Sequence, residues 1–320
     1  MSNVEAGPEV VAHEPSDARS GPELLQPRLV PLGGPRAQPV RRTLPQRTRS
    51  LIGAWCFADH YGPTDDVGLM SIPGHPHTGL QTVSWLFAGT IEHRDTVGSH
   101  MVVRAGEMNL MTAGRGIAHS EYAVAGDEVL HGVQLWVALP DRDRFCEPRF
   151  EHHVPEPWTL DDARVTVFLG SLMGSVSPVA TSTPLLGAQL DVPAGAALVL
   201  DVDPAFEHGI LVDSGDVRVA GAAATDAELL YLPPGSSTLT VETGDRPVRA
   251  LLLGGTPLDE RIVMWWNFIG RTHEEVERFR AEWQEQAQAG GTGPYGTFPD
   301  PWTSVLPAPA LPNARLRSRG

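Results

Sequence analysis

The middle of the chain carries one pattern twice, and this internal repeat limits the fold more than any other feature. The segment "AGTIEHRD" at 88–95 is echoed by "SGDVRVAG" at 214–221, and "AGEMNLMTAG" at 105–114 is echoed by "DAELLYLPPG" at 226–235. Apolar residues alternate with other residues in the first pair, which is typical of half-buried β-strands. A repeat at a fixed distance indicates a tandem architecture. We therefore predict two copies of a small β-barrel.

The composition agrees with an all-β fold. The 320 residues include 33 glycines and 29 prolines, which favours many short strands and few long helices. The formal net charge is −15, and a surface of this sign repels phosphate backbones. We therefore predict no direct binding of nucleic acid.

The sequence also predicts the compartment. It contains no apolar run of the ~18 residues that a membrane span needs, and its N-terminal segment lacks the apolar core of a signal peptide. Cys56 and Cys146 fit neither a disulfide framework nor a zinc-binding spacing. We expect reduced thiols, no membrane partner and a cytoplasmic location.

One helix is predicted near the C-terminus, in "RTHEEVERFRAEWQEQ". Thr272 and Glu275 have the spacing of a capping box at its start. Val276, Phe279 and Trp283 fall on one helical face. We interpret this aromatic stripe as core that packs on a β domain, and not as a cofactor site.

Two pairs of residues with metal-binding side chains stand two positions apart. His75 and His77 flank a proline, and His119 and Glu121 repeat the same spacing about 40 residues later. In a strand, residues two apart point to one face. Two such pairs that face each other would offer three imidazoles and one carboxylate, with open positions on a six-coordinate metal such as iron(II) or manganese(II).

The remaining histidines are less informative. His60 and His131 are isolated, and His152 and His153 are adjacent, so they point to opposite faces of a strand. His93 alternates with an isoleucine on the predicted inner face. It is either a residue that lines a pocket or a hydrogen-bonded core histidine, and the sequence leaves both readings open.

The sequence resembles a known family, the pirins, which are two-domain members of the cupin superfamily. The resemblance is carried by "FADHYGP", "PGHPHTGLQTVSWLFAGTIEHRD", "GEMNLMTAGRGIAHSE" and "LLLGGTPLDERIVMWWNFIGRTHEEV", and it runs from about Arg41 to about Trp283. It implies two tandem cupin (jelly-roll) barrels. It also implies one metal in the N-terminal barrel, usually iron, with Mn, Ni, Cu, Co and Zn left open. The ligands implied for this chain are His75, His77, His119 and Glu121.

The repeat and the resemblance together divide the chain into five segments. The predicted segments are a mobile or extended lead-in at 1–40, a metal-binding cupin domain at 41–150, a metal-free cupin domain at 151–256, a segment with the helix at 257–290 and a proline-rich tail at 291–320. The second barrel is predicted to lack metal because the offsets of the repeat place Asp201, Asp203, Thr240 and Glu242 where the first has its four ligands.

Gln81 stands where pirin-like sequences commonly have a glutamate. An amide is a weak ligand and cannot act as a general base at neutral pH. If the glutamate of the relatives is essential, this chain is impaired as an enzyme. If that residue acts from outside the ligand set, Gln81 could still orient a histidine by a hydrogen bond.

Three functions remain open at this stage. Some pirins resemble quercetin 2,3-dioxygenases, which implies a flavonol and dioxygen as substrates and Glu121 as a catalytic proton acceptor. Others are credited with a regulatory or redox-sensing role, which implies protein partners instead. The third alternative is a metal-free structural bicupin. We take the dioxygenase as the default, because an open-sided metal site invites a ligand.

Overall fold

The computed structural model describes residues 5, 7–13, 21–32, 38–66, 71–124, 126, 129–298, 304–313 and 315–316. These residues form two tandem β-barrels and one C-terminal helix, which confirms the predicted fold class. The first strands are β1 (Val11–His13), β2 (Glu23–Leu25), β3 (Arg28–Leu32), β4 (Gln38–Leu44), β5 (Trp55–Thr64), β6 (Ser71–His77), β7 (Leu80–Ala88), β8 (Thr90–Asp95), β9 (His100–Arg104), β10 (Met108–Thr112), β11 (Ile117–Ala123), β12 (Leu130–Ala138) and β13 (Arg149–His153).

The later strands follow in the same way. They are β14 (Trp158–Leu160), β15 (Ala163–Leu169), β16 (Ser171–Leu172), β17 (Ser175–Val176), β18 (Leu185–Val192), β19 (Ala197–Asp201), β20 (Glu207–Ser214), β21 (Val217–Val219), β22 (Ala222–Ala224), β23 (Leu229–Leu232), β24 (Thr238–Thr243), β25 (Val248–Gly255), β26 (Ile262–Trp265), β27 (Phe268–Gly270), β28 (Thr292–Gly293) and β29 (Gly296–Thr297). The helix, α1, spans His273–Ala289.

Each barrel consists of a seven-stranded sheet and a four-stranded sheet. In the N-terminal barrel the orders are β13-β10-β7-β12-β5-β4-β3 and β6-β11-β8-β9. In the C-terminal barrel they are β2-β23-β20-β25-β18-β15-β14 and β19-β24-β21-β22. Read in these directions, the two barrels match strand for strand. The repeat in the sequence is therefore a repeat of topology.

The two barrels exchange their edge strands along the chain. Strand β2, from the beginning of the chain, pairs with β23 and completes the large sheet of the C-terminal barrel. Strand β13 crosses the predicted boundary at residues 150 and 151, and it pairs with β10 of the N-terminal barrel. Part of the predicted lead-in thus lies in paired strands, while the exact domain limits stay predictions.

The large sheets of the two barrels pack face to face through a shared apolar core. Trp85 stacks on Phe168 of the other barrel, with ring centroids 4.6 Å apart. The indole of Trp55 donates to the carbonyls of Leu186 and Gly254, both at 3.1 Å. These contacts join the barrels by both packing and hydrogen bonds, because a buried indole needs an acceptor.

The C-terminal helix packs as the sequence predicts. Val276, Phe279 and Trp283 are buried, so the aromatic stripe is core. Thr272 caps the helix by accepting a hydrogen bond from the backbone of Glu275 at 3.2 Å. The side chain of Glu275 accepts from the backbone of Arg271 at 2.6 Å instead of from the cap residue.

The segment after the helix covers the N-terminal barrel next to β6. Tyr295 is buried, and its hydroxyl donates to the carbonyl of Phe279 at 2.8 Å. The amide of Leu306 donates to the carbonyl of Gly74 at 2.7 Å, and the Gly74 amide donates to Ser304 at 3.2 Å. The side chain of Leu306 packs on the cluster that contains Tyr61. The tail is therefore an added wall of the first barrel.

Among the described residues, α1 is the sole α-helix, and it is too polar to cross a membrane.

Candidate metal centre

Neighbouring strands of the four-stranded sheet carry the predicted pairs. Strand β6 supplies His75 and His77, and β11 supplies His119 and Glu121. The strands pair so that His75 lies opposite His119, and a register irregularity separates His119 from Glu121. Because alternate residues share a face, the period-two spacing brings all four side chains to the inside of the barrel.

The three histidines point their Nε2 side toward one another. Nε2 of His77 lies 3.1 Å from Nε2 of His119, and the ring centroids of His75 and His119 are 4.3 Å apart. His75 donates from Nδ1 to the carbonyl of Pro73 at 2.8 Å, which leaves Nε2 as its metal-binding nitrogen. Ligand atoms of the three residues all lie within 4.8 Å of one another.

Burial keeps these imidazoles neutral. All three histidines have an exposed fraction of 0%. Burial lowers the pKa of His75 to about 4, and burial, followed by the neighbouring imidazoles, lowers the pKa values of His77 and His119 well below the usual 6.5. Neutral imidazole is the form that binds metal.

Glu121 lies beside this cluster and not within it. Its carboxylate groups within 4.8 Å with His93 and His119 rather than with His75 and His77. It is 1% exposed. Burial, and next the charge of Glu121, raise the pKa of Tyr61 well above its usual 10. The structure thus brings the four predicted residues into one buried region, whose donors suit first-row divalent metals.

Gln81 does not orient a histidine, contrary to the role considered for it. Its amide nitrogen donates to the hydroxyl of Thr112 at 2.9 Å, across the β7–β10 pair. Its oxygen has no hydrogen-bond partner among the described residues. The residue is fully buried, so its polar group is held by the large sheet.

The register predicted for the second barrel was wrong by one residue. Thr240 and Glu242, matched in the sequence to His119 and Glu121, are exposed, and Leu239 and Val241 face the core instead. A shift of one residue moves every side chain of a strand to the other face. The inner face of β24 is therefore apolar, which supports the predicted lack of metal in that barrel.

A third pair of the same spacing escaped the sequence analysis. His93 and Asp95 lie on β8, which pairs with β11. Nδ1 of His93 lies 3.3 Å from Nδ1 of His119, and Nε2 of His93 lies 3.1 Å from Asp95. The motif "EHRD" showed the spacing, but the resemblance had directed attention to the other two pairs.

The structure also joins two histidines that are isolated in the sequence. Nε2 of His60 and Nε2 of His131 each lie 2.7 Å from Oδ1 of Asp213, which belongs to the other barrel. Arg249 donates to the second oxygen of this carboxylate at 2.7 Å and lies 3.4 Å from Nδ1 of His131.

This arrangement favours a hydrogen-bonded ion cluster over a second metal site. If both imidazoles carry their proton on Nε2, they donate to Asp213, and His131 can accept from Arg249 at Nδ1. A metal would require both Nε2 atoms to be unprotonated, and His131 would then turn an N–H toward a guanidinium that can only donate. Burial raises the pKa of Asp213, but the hydrogen bonds from His131 and His60 outweigh it and lower the pKa.

Comparisons with known proteins agree with the fold and the site. The pirin family profile matches residues 37–137, and the profile of the pirin C-terminal cupin domain matches residues 187–289. A protein of Pseudomonas aeruginosa named "Putative quercetin 2,3-dioxygenase" is 42% identical over 249 residues, which cover 77% of this chain and 79% of that protein.

Solved structures show the same architecture. A quercetin 2,3-dioxygenase of Acinetobacter baumannii superposes with a TM-score of 0.85 at 34% identity, over 94% of this chain and 99% of that one. A bacterial pirin of Escherichia coli, solved in complex with nickel(II), has a TM-score of 0.57 at 20% identity over 74% of this chain and 99% of its own. The second likeness concerns the fold alone. With two barrels, a His/Glu cluster in the first and both family profiles matched, this chain belongs to the pirin family.

Proposed function

We propose that the protein is a metal-dependent dioxygenase of the quercetin 2,3-dioxygenase type, with one metal held by His75, His77, His119 and Glu121. The observation that carries this proposal is the convergence of three neutral, buried imidazoles beside a carboxylate. The relative with 42% identity, named for this activity, supports the reaction class. We propose iron as the metal, while Mn, Ni, Cu, Co or Zn would suit the same donors.

A bound metal of this kind supplies Lewis acidity and, if it is redox-active, electron exchange with dioxygen. The residues of the chain position it and exclude water. Glu121 is the residue in this set that can accept the proton of a flavonol hydroxyl, since the histidines serve as ligands in their neutral form. Gln81 takes no part as a base, because its amide is held by Thr112.

The test combines metal analysis with oxygen uptake. The purified protein should contain about one metal per chain and consume oxygen with quercetin under air, with no product formed anaerobically. The His77→Ala variant should lose both the metal and the uptake. Normal turnover by that variant would refute a metal-dependent reaction.

A second candidate is a regulatory metalloprotein that acts through protein partners, and the closure of the site favours it. The four proposed ligands are at most 1% exposed. The tail strand pairs with Gly74, the residue before His75. A flavonol would reach the metal only after this wall moved. In a regulator, the wall would instead report the state of the metal.

Hydrogen exchange separates the two candidates. A regulator should show no oxygen uptake with flavonols, and exchange of the Leu306 amide should change when the bound iron is oxidised. A dioxygenase should show uptake, with exchange of this amide that responds to the flavonol. We also place the protein in the cytoplasm, where its two free cysteines would stay reduced.

A further inference from the structure

His93 and Asp95 form a chain of hydrogen bonds that ends on a proposed metal ligand. Strand β8 places Asp95 opposite His119 and His93 opposite Glu121. The exposed fractions of His93 and Asp95 are 4% and 0%. Neither residue belongs to the ligand set proposed above, and both are shielded from water.

The direction of this chain follows from the geometry of His119. Its Nε2 faces Nε2 of His77 at 3.1 Å, so Nε2 is the nitrogen on the side of the proposed metal. An imidazole that binds a metal through Nε2 carries its proton on Nδ1. That nitrogen lies 3.3 Å from Nδ1 of His93. His93 must therefore accept at Nδ1 and carry its own proton on Nε2.

Asp95 completes the chain and fixes its polarity. Its Oδ2 lies 3.1 Å from Nε2 of His93, and a carboxylate can only accept. Its other oxygen accepts from the backbone amides of Val97 at 3.0 Å and Ser99 at 2.8 Å. Every link then has one donor and one acceptor, and the opposite direction would leave two donors facing each other.

Packing holds the middle of the chain in place. The ring of His93 stacks on Phe150 with centroids 4.6 Å apart and an interplanar angle of 29°. The turn after β8 holds Asp95 through two backbone hydrogen bonds. Both groups are thus oriented before any metal binds, which is the condition for an outer partner to set the orientation of a ligand.

We propose that Asp95 and His93 are positioning residues of the metal centre, which hold His119 in the tautomer that binds through Nε2 and raise the basicity of this nitrogen. The inference rests on the proposed metal site, but not on the dioxygenase reaction. Partners of this kind commonly contribute about 10–100-fold to metal affinity.

Three variants test the chain, with cobalt(II) affinity measured by competition against a chelator. Asp95→Asn keeps an oxygen for the two backbone amides, so its NH2 group must face His93 and break one link. His93→Phe keeps the ring stacked on Phe150 but removes the acceptor. Both should bind cobalt about 10–100-fold more weakly. His93→Gln restores an acceptor for His119 and should recover most of the affinity.

His208→Phe is the matched control, because His208 is a buried histidine of the second barrel. It should bind cobalt as the wild type does. All affinities are measured on apo proteins whose folding is first verified by urea unfolding, since a loss of fold would mimic a loss of affinity.

The outcomes separate this inference from the proposed site. Wild-type affinity in both Asp95→Asn and His93→Phe would overturn the positioning role. An equal loss in His93→Phe and His93→Gln, with a cobalt absorption spectrum that shows a changed coordination number, would make His93 a ligand and also overturn it. A wild-type protein that binds no cobalt would refute the metal site itself.

Discussion

His119 lies directly opposite His75 in the β6–β11 pair, and the two rings meet with centroids 4.3 Å apart. His77, two residues further along β6, brings its Nε2 to 3.1 Å from His119. Three imidazoles therefore depend on the register of one strand pair. Loss of any one should disable the site without exposing the core.

The first prediction concerns His77→Ala. Cobalt or iron affinity should fall by more than the about 10–100-fold that loss of an outer partner costs, because a ligand is removed. Metal content is read by elemental analysis after gel filtration. His152→Ala is the control, since His152 is exposed and bonded to Asn109. Unchanged metal content in His77→Ala would contradict the ligand assignment.

The second prediction concerns the turn that follows His77. Gly79 has φ +74°, and a Cβ there would lie 2.2 Å from the carbonyl oxygen of Ile269. Gly79→Ala should lower the free energy of unfolding by more than the about 1–3 kcal/mol of an unfavourable backbone conformation alone. Gly106, with φ +75° and open space around it, is the matched control. Equal losses in urea unfolding would show that the contact with Ile269 is unimportant.

The third prediction concerns the ion cluster between the barrels. Asp213→Ala leaves Arg249 and two histidines without their acceptor, and it should cost about 3–5 kcal/mol. Asp216→Ala, three residues later, removes a pair with Arg246 whose carboxylate is 47% exposed, and it should cost less than about 1 kcal/mol. Urea unfolding at pH 7.5 measures both. Similar losses would mean that the cluster adds little to the contact between the barrels.

The fourth prediction is a pH dependence that arises from His208. Burial lowers its pKa from 6.5 to about 4, although the charge of Asp203 works against this. Above pH 6.5 the residue is neutral in both states and has no effect. As the pH falls from 6.5 towards 4, the unfolded chain gains a proton that the folded protein excludes, so stability is lost, by about 3 kcal/mol in total.

The variant His208→Phe isolates this contribution. The difference in unfolding free energy between variant and wild type at pH 7.5 measures the packing change alone. Between pH 6.5 and 4 that difference should shift in favour of the variant. A constant difference across this range would show that His208 is protonated in the folded protein as readily as in the unfolded one.

The sequence was most informative where one strand carries the whole signal. The pairs at His75 and His77, and at His119 and Glu121, were predicted to share a face because the period of a strand is two. The helix stripe of Val276, Phe279 and Trp283 followed from the helical period in the same way. Such local periods survive folding.

The sequence was least informative where two strands must be aligned. The role of His93 depends on its position opposite Glu121, and the apolar lining of the second barrel depends on a register that the weak repeat misplaced by one residue. Asp213 meets His60 across 153 positions of chain. No short pattern records such distances, since pairing between distant segments is decided by packing.

The exchange of edge strands makes the two barrels inseparable units of folding. A fragment that ends at residue 150 would lose most of β13 and leave β10 with an open edge, and one that begins at residue 151 would lack β2 beside β23. Open edges of this kind invite pairing with other chains. During synthesis, Glu23–Leu25 must also wait for β23 to emerge about 200 residues later. The early chain therefore closes the late barrel, and neither half is a finished protein until the whole has been made.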